Sequence, residues 1–345
     1  MDKRVMFAVA GAGKTTYIVN SLNYCKRSLI ITYTNANFDN IAQKIVAKFE
    51  GKWPDNITLL TYFQFLYNFC YKPFLSDLYS AKGLDFKSCK NRYIKQQNIQ
   101  YYLNPSCCFY SNRLALFLDK KGAISDIKNR IETYFDEFIV DEIQDISGRD
   151  FTFLETLMES RVNMLFVGDF YQHTYNTSYD GNINKNLFDN KEKYIQKFSQ
   201  KGVCPDTSTL KKSWRCSKPV CEYVSTNLGI PIESNRTDES VIEFLSDPLQ
   251  IAEVMNDENV EKLHYQSAST YGIGHKNWGD TKGEDCYQDV CVILNKGTMN
   301  KYKMGKLSEL APGTRNKLYV AITRAHRNVY LVDEDSIKMT ASPNN

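Results

Sequence analysis

A glycine-rich segment near the N-terminus has the residue types that bind phosphate. Residues 7–16 read as a strand, a short turn and the start of a helix. Backbone N–H groups in such a turn, together with a helix N-terminus, can surround phosphate oxygens. A lysine there neutralises the β- and γ-phosphates, and a threonine hydroxyl binds Mg²⁺. We therefore predict a nucleotide site formed by Gly11, Ala12, Gly13, Lys14, Thr15 and Thr16, with Thr15 as a metal ligand.

Two acidic residues end a second apolar segment, EFIVDEIQD. Asp141 could hold Mg²⁺ through water, and Glu142 could polarise the attacking water, as phosphoanhydride hydrolysis requires. Each segment has a simpler alternative. Acidic residues often end strands in solvated turns, and Ala8 replaces the first glycine of the pattern G-x4-GKT. Because the two segments complement each other, we predict an ATP hydrolase in which Lys14 and Glu142 are catalytic.

Further motifs follow in a fixed order along the chain. They are GDFYQ at 168–172, SWRCS at 213–217, KGE at 282–284 and YVAITRA at 319–325. Two earlier segments, TYTN at 32–35 and TYFQF at 61–65, precede them. Their sequences and order resemble the GDxxQ, NYRS, KGLE, YVALTRA, TFTN and TFHSF elements of UvrD/Rep-like superfamily 1 DNA helicases. The chain resembles a minimal member of that family, without the large accessory insertion of the second motor domain.

The resemblance implies nucleotide-binding roles for residues of the later motifs. Gln172 would sense the γ-phosphate, Arg215 and Arg324 would be arginine fingers, and Trp214 would stack on adenine. Glu284 of the KGE element belongs to the same predicted nucleotide site. A guanidinium matches a phosphoryl group in shape and charge, which suits that role. The alternatives are surface salt bridges for the two arginines and a core position for the tryptophan.

The resemblance also implies a surface for single-stranded nucleic acid. Aromatic side chains that stack on bases tolerate any sequence, as a translocating enzyme requires. Large aromatic residues are usually mostly buried, so a core position is the alternative for each aromatic residue of the set. The predicted nucleic-acid residues are Tyr33, Thr34, Asn35, Thr61, Tyr62, Phe63 and Tyr175.

Short apolar segments alternate with helix-like segments along the chain, which is typical of parallel sheets in α/β folds. We predict two α/β domains, at residues 1–205 and 206–345. A segment rich in Lys, Tyr and Asn, at about residues 74–131, is predicted to be a helical insertion in the first domain. The resemblance implies that the two predicted domains are RecA-like P-loop NTPase domains with parallel sheets, and that ATP binds in the cleft between them.

Composition and charge exclude some classes of protein but do not specify a function. The 345 residues carry a formal net charge of +3, so a nucleic-acid surface would have to be a local groove. The sequence has no apolar stretch of membrane-spanning length and no recognisable signal segment, and we expect a cytoplasmic protein. Ten cysteines without paired spacing are expected to be free thiols.

Two functions remain open at this stage. The first is an ATP-dependent translocase on single-stranded DNA, with 3′ to 5′ polarity implied by the resemblance and RNA as an alternative track. The second is a nucleotide-gated DNA-binding subunit that regulates a partner such as a nuclease. Three departures from the family bear on them. Little sequence precedes the phosphate loop; Asp285 directly follows Glu284 and Gly279 replaces a histidine; and fewer than seventy residues separate Arg215 from Lys282, too few for the large accessory domain. The first two departures affect the preference for ATP over GTP and the coupling of ATP hydrolysis to movement on DNA.

Overall fold

The computed structural model describes residues 1–87, 93–174, 183–184 and 186–340. The chain divides into two compact units. Unit 1 comprises Met1–Met6, Lys14–Gly168 and the described part of 175–206. Unit 2 comprises Phe7–Gly13, Asp169–Thr174 and the described residues from Thr207 onward.

Strands and helices alternate along unit 1. Its elements are β1 (Lys3–Phe7), α1 (Lys14–Ser21), β2 (Ser28–Thr32), α2 (Asn35–Lys48), β3 (Ile57–Thr61), α3 (Tyr62–Gln64), α4 (Lys72–Leu75), β4 (Gly83–Asp85), β5 (Cys108–Tyr110), α5 (Ser111–Lys120), α6 (Ile124–Tyr134), β6 (Glu137–Asp141), α7 (Gly148–Leu157), β7 (Asn163–Gly168), α8 (Lys191–Ser199) and β8 (Cys204–Asp206). A π-helical turn at Phe65–Tyr71 joins α3 to α4.

The main sheet of unit 1 has the strand order β3-β2-β6-β7-β1-β8, and its paired strands are parallel. All five residues of β2 are buried, as expected for a strand covered on both faces. Parallel strands end at one edge of a sheet, where open α/β sheets usually bind ligands. Tyr33, Tyr62 and Glu142, which directly follow β2, β3 and β6, therefore share one edge.

Within the described residues, the segment between α4 and β6 has α-helices only in its second part, and its first part has a 3₁₀ turn at Ile99–Tyr101. In the second part, α5 buries a continuous run from Leu114 to Leu118, and α6 follows it. The first part contains β4 and β5, which pair in parallel as a small separate sheet, with Leu84 opposite Phe109. This segment therefore combines short strands with helices.

Unit 2 is also built from alternating strands and helices. Its elements are β9 (Lys212–Ser213), α9 (Lys218–Tyr223), β10 (Glu233–Ser234), β11 (Ile242–Phe244), α10 (Pro248–Asn256), β12 (Val260–His264), β13 (His275–Asn277), β14 (Asp289–Leu294), α11 (Lys296–Lys303), α12 (Pro312–Ile322), β15 (Val329–Asp333) and α13 (Glu334–Thr340). A π-helical turn at Val224–Leu228 follows α9.

The main sheet of unit 2 has the order β11-β15-β14-β12-β13, again with parallel pairs. Its central strand β14 buries five residues in succession, Val290 to Leu294. The predicted fold class, α/β with two parallel sheets, is confirmed.

Two predictions from composition can be compared with the described residues. None of the helices described is long and apolar enough to cross a membrane. The nine cysteines within the described part of the chain form no disulfide, in agreement with the expectation of thiols.

Candidate nucleotide site and nucleic-acid surface

The phosphate loop connects β1 to α1 and requires glycine for two reasons. Gly11 and Gly13 have φ angles of +68° and +83°, which L side chains rarely adopt. A Cβ atom on Gly11 would lie 2.6 Å from Arg215 Cβ and 2.7 Å from Ser213 Oγ, all within unit 2. The backbone N–H of Trp214 also donates to the Gly11 carbonyl at 2.8 Å. The segment around Trp214 therefore holds the turn closely.

Lys14, the first residue of α1, lies beside the predicted general base. Its Nζ is 3.4 Å from Glu142 Oε1, and the two side chains are only 11% and 10% exposed. Both residues belong to unit 1, in which α1 packs against β6. The ammonium and the carboxylate can thus act on the same small ligand.

Glu142 is held in an unusual backbone conformation. Its φ of 55° lies in the left-handed region, which is uncommon for a residue other than glycine and often found at functional sites. The Gln144 side-chain amide donates to Glu142 Oε2, and the Tyr194 hydroxyl donates to the Ile143 carbonyl at 3.3 Å. These contacts fix the turn after β6 and orient the carboxylate.

Gly168 makes room for that turn. A Cβ atom at this position would lie 2.2 Å from Gln144 Oε1 and 2.7 Å from Ile143 Cγ2. The glycine of GDFYQ is therefore required by the residue that orients Glu142. Gln144 and Gly168 belong to the motifs EFIVDEIQD and GDFYQ, but neither role was predicted from them.

The predicted metal ligands, Thr15 and Asp141, lie on elements that pack together. Thr15 is in the first turn of α1, and the buried Asp141 ends β6. A hydroxyl and a carboxylate are oxygen donors of the kind that Mg²⁺ prefers, so these residues fit the ion. No group of three or more His, Cys, Asp or Glu that could hold a metal occurs in the described residues. Mg²⁺ at nucleotide sites is usually bound by one or two protein ligands together with substrate phosphates and water. Thr16 lies outside this pair, and its hydroxyl accepts from Lys44 Nζ at 3.2 Å.

Tyr319 joins the phosphate loop to the GDFYQ motif within unit 2. Its hydroxyl accepts from the Ala10 N–H at 2.8 Å and donates to Asp169 Oδ2 at 2.9 Å. Burial, and then the Asp169 carboxylate, raise the pKa of Tyr319 well above its usual value, so the donor stays protonated. Gln172 is buried in the turn at Phe170–Gln172, and its N–H donates to the Asp169 carbonyl. The bridging role of Tyr319 was not predicted.

The two predicted arginine fingers have different surroundings in unit 2. Arg324 is 2% exposed, and its guanidinium donates to the carbonyls of Val320, Thr281 and Glu284. The alternative of a surface salt bridge therefore does not describe Arg324.

Arg215 does form an ion pair. Its Nε lies 2.5 Å from Asp285 Oδ1, and His326 Nε2 is 2.9 Å from the same oxygen. Burial alone would raise the pKa of Asp285, but Arg215 and His326 hold it below its usual value.

Trp214 and Glu284 complete the predicted nucleotide residues of unit 2. Trp214 is 66% exposed, which excludes the core alternative. Its Cδ1 would lie 3.9 Å from a Cβ on Gly13, so the indole lies beside the loop.

The Glu284 carboxylate accepts from Lys276 Nζ at 3.1 Å and from the Tyr287 hydroxyl.

The predicted nucleic-acid residues lie where β2 and β3 end. The rings of Tyr33 and Phe63 are partly exposed, with centroids 6.1 Å apart. Thr34 caps α2 by accepting from the Asn37 N–H, and Asn35 is exposed beside it. Thr61 forms a capping box with Gln64.

Tyr62 and Tyr175 differ from this group. Tyr62 is 1% exposed, so the core alternative describes it. Burial, and then Asp150, raise its pKa well above the usual value. Tyr175 lies outside the described residues.

Comparison with known sequences assigns the family. A family model described as AAA domain matches residues 2–178, just over half of the chain. The chain belongs to this AAA domain family, AAA_19. No curated protein has a sequence that matches it significantly.

Solved structures share the fold of this AAA domain protein. Arterivirus nonstructural protein 10 (helicase) in complex with DNA has a TM-score of 0.51 and 14% identity over 98% of this chain and 63% of that one. The same arterivirus helicase without DNA has a TM-score of 0.50 and 14% identity over 98% and 61%. The PRRSV helicase has a TM-score of 0.49 and 12% identity over 96% and 52%. The family match and the two arterivirus structures show that the chain has a P-loop helicase-like fold. The chain spans roughly half to two thirds of the length of the three solved proteins.

Within the AAA domain protein, the predicted residues form separate groups. Unit 1 brings Lys14 to Glu142, and unit 2 brings Gly11 to Trp214 and Arg215. A residue that the sequence analysis missed is Phe86, whose ring contacts that of Phe63. Its segment was predicted to be helical, so no motif directed attention to it.

Proposed function

We propose that this protein hydrolyses ATP and uses the energy to move along single-stranded DNA, as a UvrD-like translocase with 3′ to 5′ polarity. The observation that carries the proposal is the 3.4 Å approach of Lys14 Nζ to Glu142 Oε1 at the start of α1. It puts a phosphate-binding cation and a base for water at one place, which is what hydrolysis of a γ-phosphate requires. The motif order supports the UvrD-like type and its polarity.

The residues of unit 1 would act as follows. The α1 N-terminus and Lys14 bind the β- and γ-phosphates, and Glu142 accepts a proton from the attacking water while Gln144 holds its carboxylate. Thr15 and Asp141 would hold Mg²⁺, which when bound neutralises charge on the β- and γ-phosphates. The left-handed backbone at Glu142 lowers the stability of the fold by about 1–3 kcal/mol. Proteins retain such strain at sites where a side chain must be held in a functional orientation.

The residues of unit 2 would bind the base and stabilise charge. The exposed indole of Trp214 would stack on adenine, and Gln172 would sense the γ-phosphate. Arg215 would exchange Asp285 for a phosphoryl oxygen, and Arg324 would contribute through its contacts with the KGE element, where Glu284 accepts from it. The exchange at Arg215 replaces one charge-assisted hydrogen bond by another.

The nucleic-acid track would cross the ends of β2 and β3. Tyr33 and Phe63 offer aromatic faces to bases, while Thr34, Asn35 and Thr61 lie beside them at helix starts. The arterivirus helicase of the same fold was solved with DNA, which supports DNA as the track here; RNA is the alternative.

The decisive experiment measures ATP turnover without nucleic acid and with single-stranded DNA, duplex DNA or RNA. We expect single-stranded DNA to stimulate turnover most, and Lys14→Ala to remove turnover under every condition. Arrival of the protein at a dye-labelled 5′ end, but not at a 3′ end, would establish the polarity. Nucleotide binding with turnover that no nucleic acid changes would contradict the motor and support a nucleotide-gated binding subunit that acts on a partner.

A further inference from the structure

A third aromatic side chain extends the pair formed by Tyr33 and Phe63. Phe86 is 68% exposed, and its ring centroid lies 5.0 Å from that of Phe63, with the two planes at 90°. With 6.1 Å between the rings of Tyr33 and Phe63, the three form a continuous row that we call the aromatic ledge. Isolated exposed aromatic residues are common on proteins, so the row, and not exposure alone, is informative.

Hydrogen bonds hold the backbone from β4 to Lys87, at which the described range 1–87 ends. Before Phe86, β4 pairs with β5, where Leu84 lies opposite the fully buried Phe109. The Asp85 carboxylate accepts from the Lys87 N–H at 2.9 Å and from Asn104 Nδ2 at 2.8 Å. Both hydrogen bonds lower the pKa of Asp85, and the bond from the Lys87 backbone has the larger effect. Asp85 therefore accepts them as a carboxylate. Phe86 is therefore presented to solvent by an ordered turn.

Charge near the ledge indicates the class of ligand. Exposed lysines, Lys82 and Lys87, flank β4 and Phe86. An aromatic ring on a segment that also carries exposed lysines matches a polyanion with flat aromatic groups, which is the chemistry of single-stranded nucleic acid. An apolar protein segment would use the rings but not the lysines. The combination favours nucleic acid.

We propose that Tyr33, Phe63 and Phe86 form one base-stacking ledge for single-stranded nucleic acid, with Phe86 as its outer residue. The inference rests on the proposed function for the identity of the ligand, and adds to it a binding residue from the small sheet of β4 and β5. Stacking on one aromatic side chain is worth about 1–3 kcal/mol per base, so loss of the Phe86 ring should weaken binding about tenfold.

The test is the dissociation constant for a fluorescent oligothymidylate, measured by anisotropy at one fixed salt concentration. We expect Phe86→Ala and Phe86→Leu to weaken binding about tenfold, and Phe86→Trp to retain it. Leucine keeps apolar surface without a π face, so this pair separates stacking from simple apolar contact. Leu78→Ala is the matched control, because Leu78 is 74% exposed in the same segment. Thermal unfolding midpoints verify that every variant is folded.

The outcomes distinguish the ledge from the proposed function. If the wild type binds the oligonucleotide and Phe86→Ala binds equally well, the ledge is wrong and the proposed function stands. Wild-type affinity in Phe86→Leu would also overturn the stacking claim. If the wild type binds no single-stranded nucleic acid, both fail.

Discussion

One edge of the six-stranded sheet carries two different surfaces. At the end of β6, Glu142 is almost buried and is contacted by Lys14 and Gln144. At the ends of β3 and β2, Phe63 and Tyr33 offer partly exposed rings. The strands are neighbours in the order β3-β2-β6, so a polar half adjoins an aromatic half.

The difference shows how one fold can serve two ligands. Phosphoryl transfer to water needs groups held at fixed positions, away from bulk solvent. A strand that must slide needs faces that accept any base and make few directional bonds. We expect substitutions in the polar half to change turnover and those in the aromatic half to change nucleic-acid affinity.

The largest expected effect comes from the polar half. Glu142→Gln should lower kcat for ATP by about 10² to 10⁴, the usual contribution of a positioned base, while nucleotide still binds. Steady-state turnover and binding of a fluorescent ATP analogue would measure the two properties. Glu159→Gln is the control, since Glu159 is half exposed and pairs with Lys128 and Lys201. Turnover near wild type in Glu142→Gln would remove Glu142 from its role.

Gly168→Ala should damage the polar half indirectly. The added methyl would overlap Gln144 Oε1, and overpacking of this kind costs about 1–3 kcal/mol of stability. Because the overlap moves the residue that orients Glu142, we expect kcat to fall by up to about 10² while the KM for ATP changes little. Gly313→Ala is the control, since a methyl there meets nothing within 4 Å. Equal loss of kcat in both variants would contradict the mechanism.

Phe63→Ala should weaken oligothymidylate binding about tenfold, as expected for loss of one stacking partner. Anisotropy at fixed salt would measure the affinity, and Leu78→Ala again serves as the control. A variant that binds normally but no longer hydrolyses ATP would break the division between the two halves.

The smallest effect is expected next to Phe63. Tyr62→Phe removes a buried hydroxyl, and the affinity for oligothymidylate should stay within about twofold of the wild type, because Tyr62 is 1% exposed and its side chain cannot contact the strand. Tyr62→Ala should instead lower the free energy of unfolding by about 3–5 kcal/mol, as expected for an emptied core position. Chemical denaturation would measure it. A tenfold weaker affinity for Tyr62→Phe would instead show that the Tyr62 hydroxyl contacts the strand.

Sequence reasoning was strongest where residue types and spacing specify one chemistry. Two parallel sheets could be predicted because buried strands read as continuous apolar segments, as β2 and β14 do. It could not decide between Tyr62 and Phe63, since adjacent aromatic residues leave the inward-facing one undefined until the turn after β3 is known. Phe86 gave no signal, because its position depends on the pairing of β4 with β5.

The contacts that orient the site were harder to predict. Gln144 contacts Glu142 only because Glu142 adopts a left-handed backbone, and Tyr319 reaches Ala10 across a separation of 309 residues. Sequence motifs show that such residues occur in the same chain, but they do not show which of their atoms are in contact.

The indole beside Gly13 gives the molecule an optical reporter. The chain has three tryptophans. Trp278 is fully buried and donates to the Leu263 carbonyl, and Trp53 donates to the Ile57 carbonyl. Trp214, the most exposed of the three, lies next to the phosphate loop. Buried indoles emit at shorter wavelengths and are shielded from quenchers in water, so the red edge of the emission and its quenching by acrylamide belong mainly to Trp214. Titration with nucleotide can therefore be followed in the unlabelled protein, with Trp53→Phe to sharpen the signal.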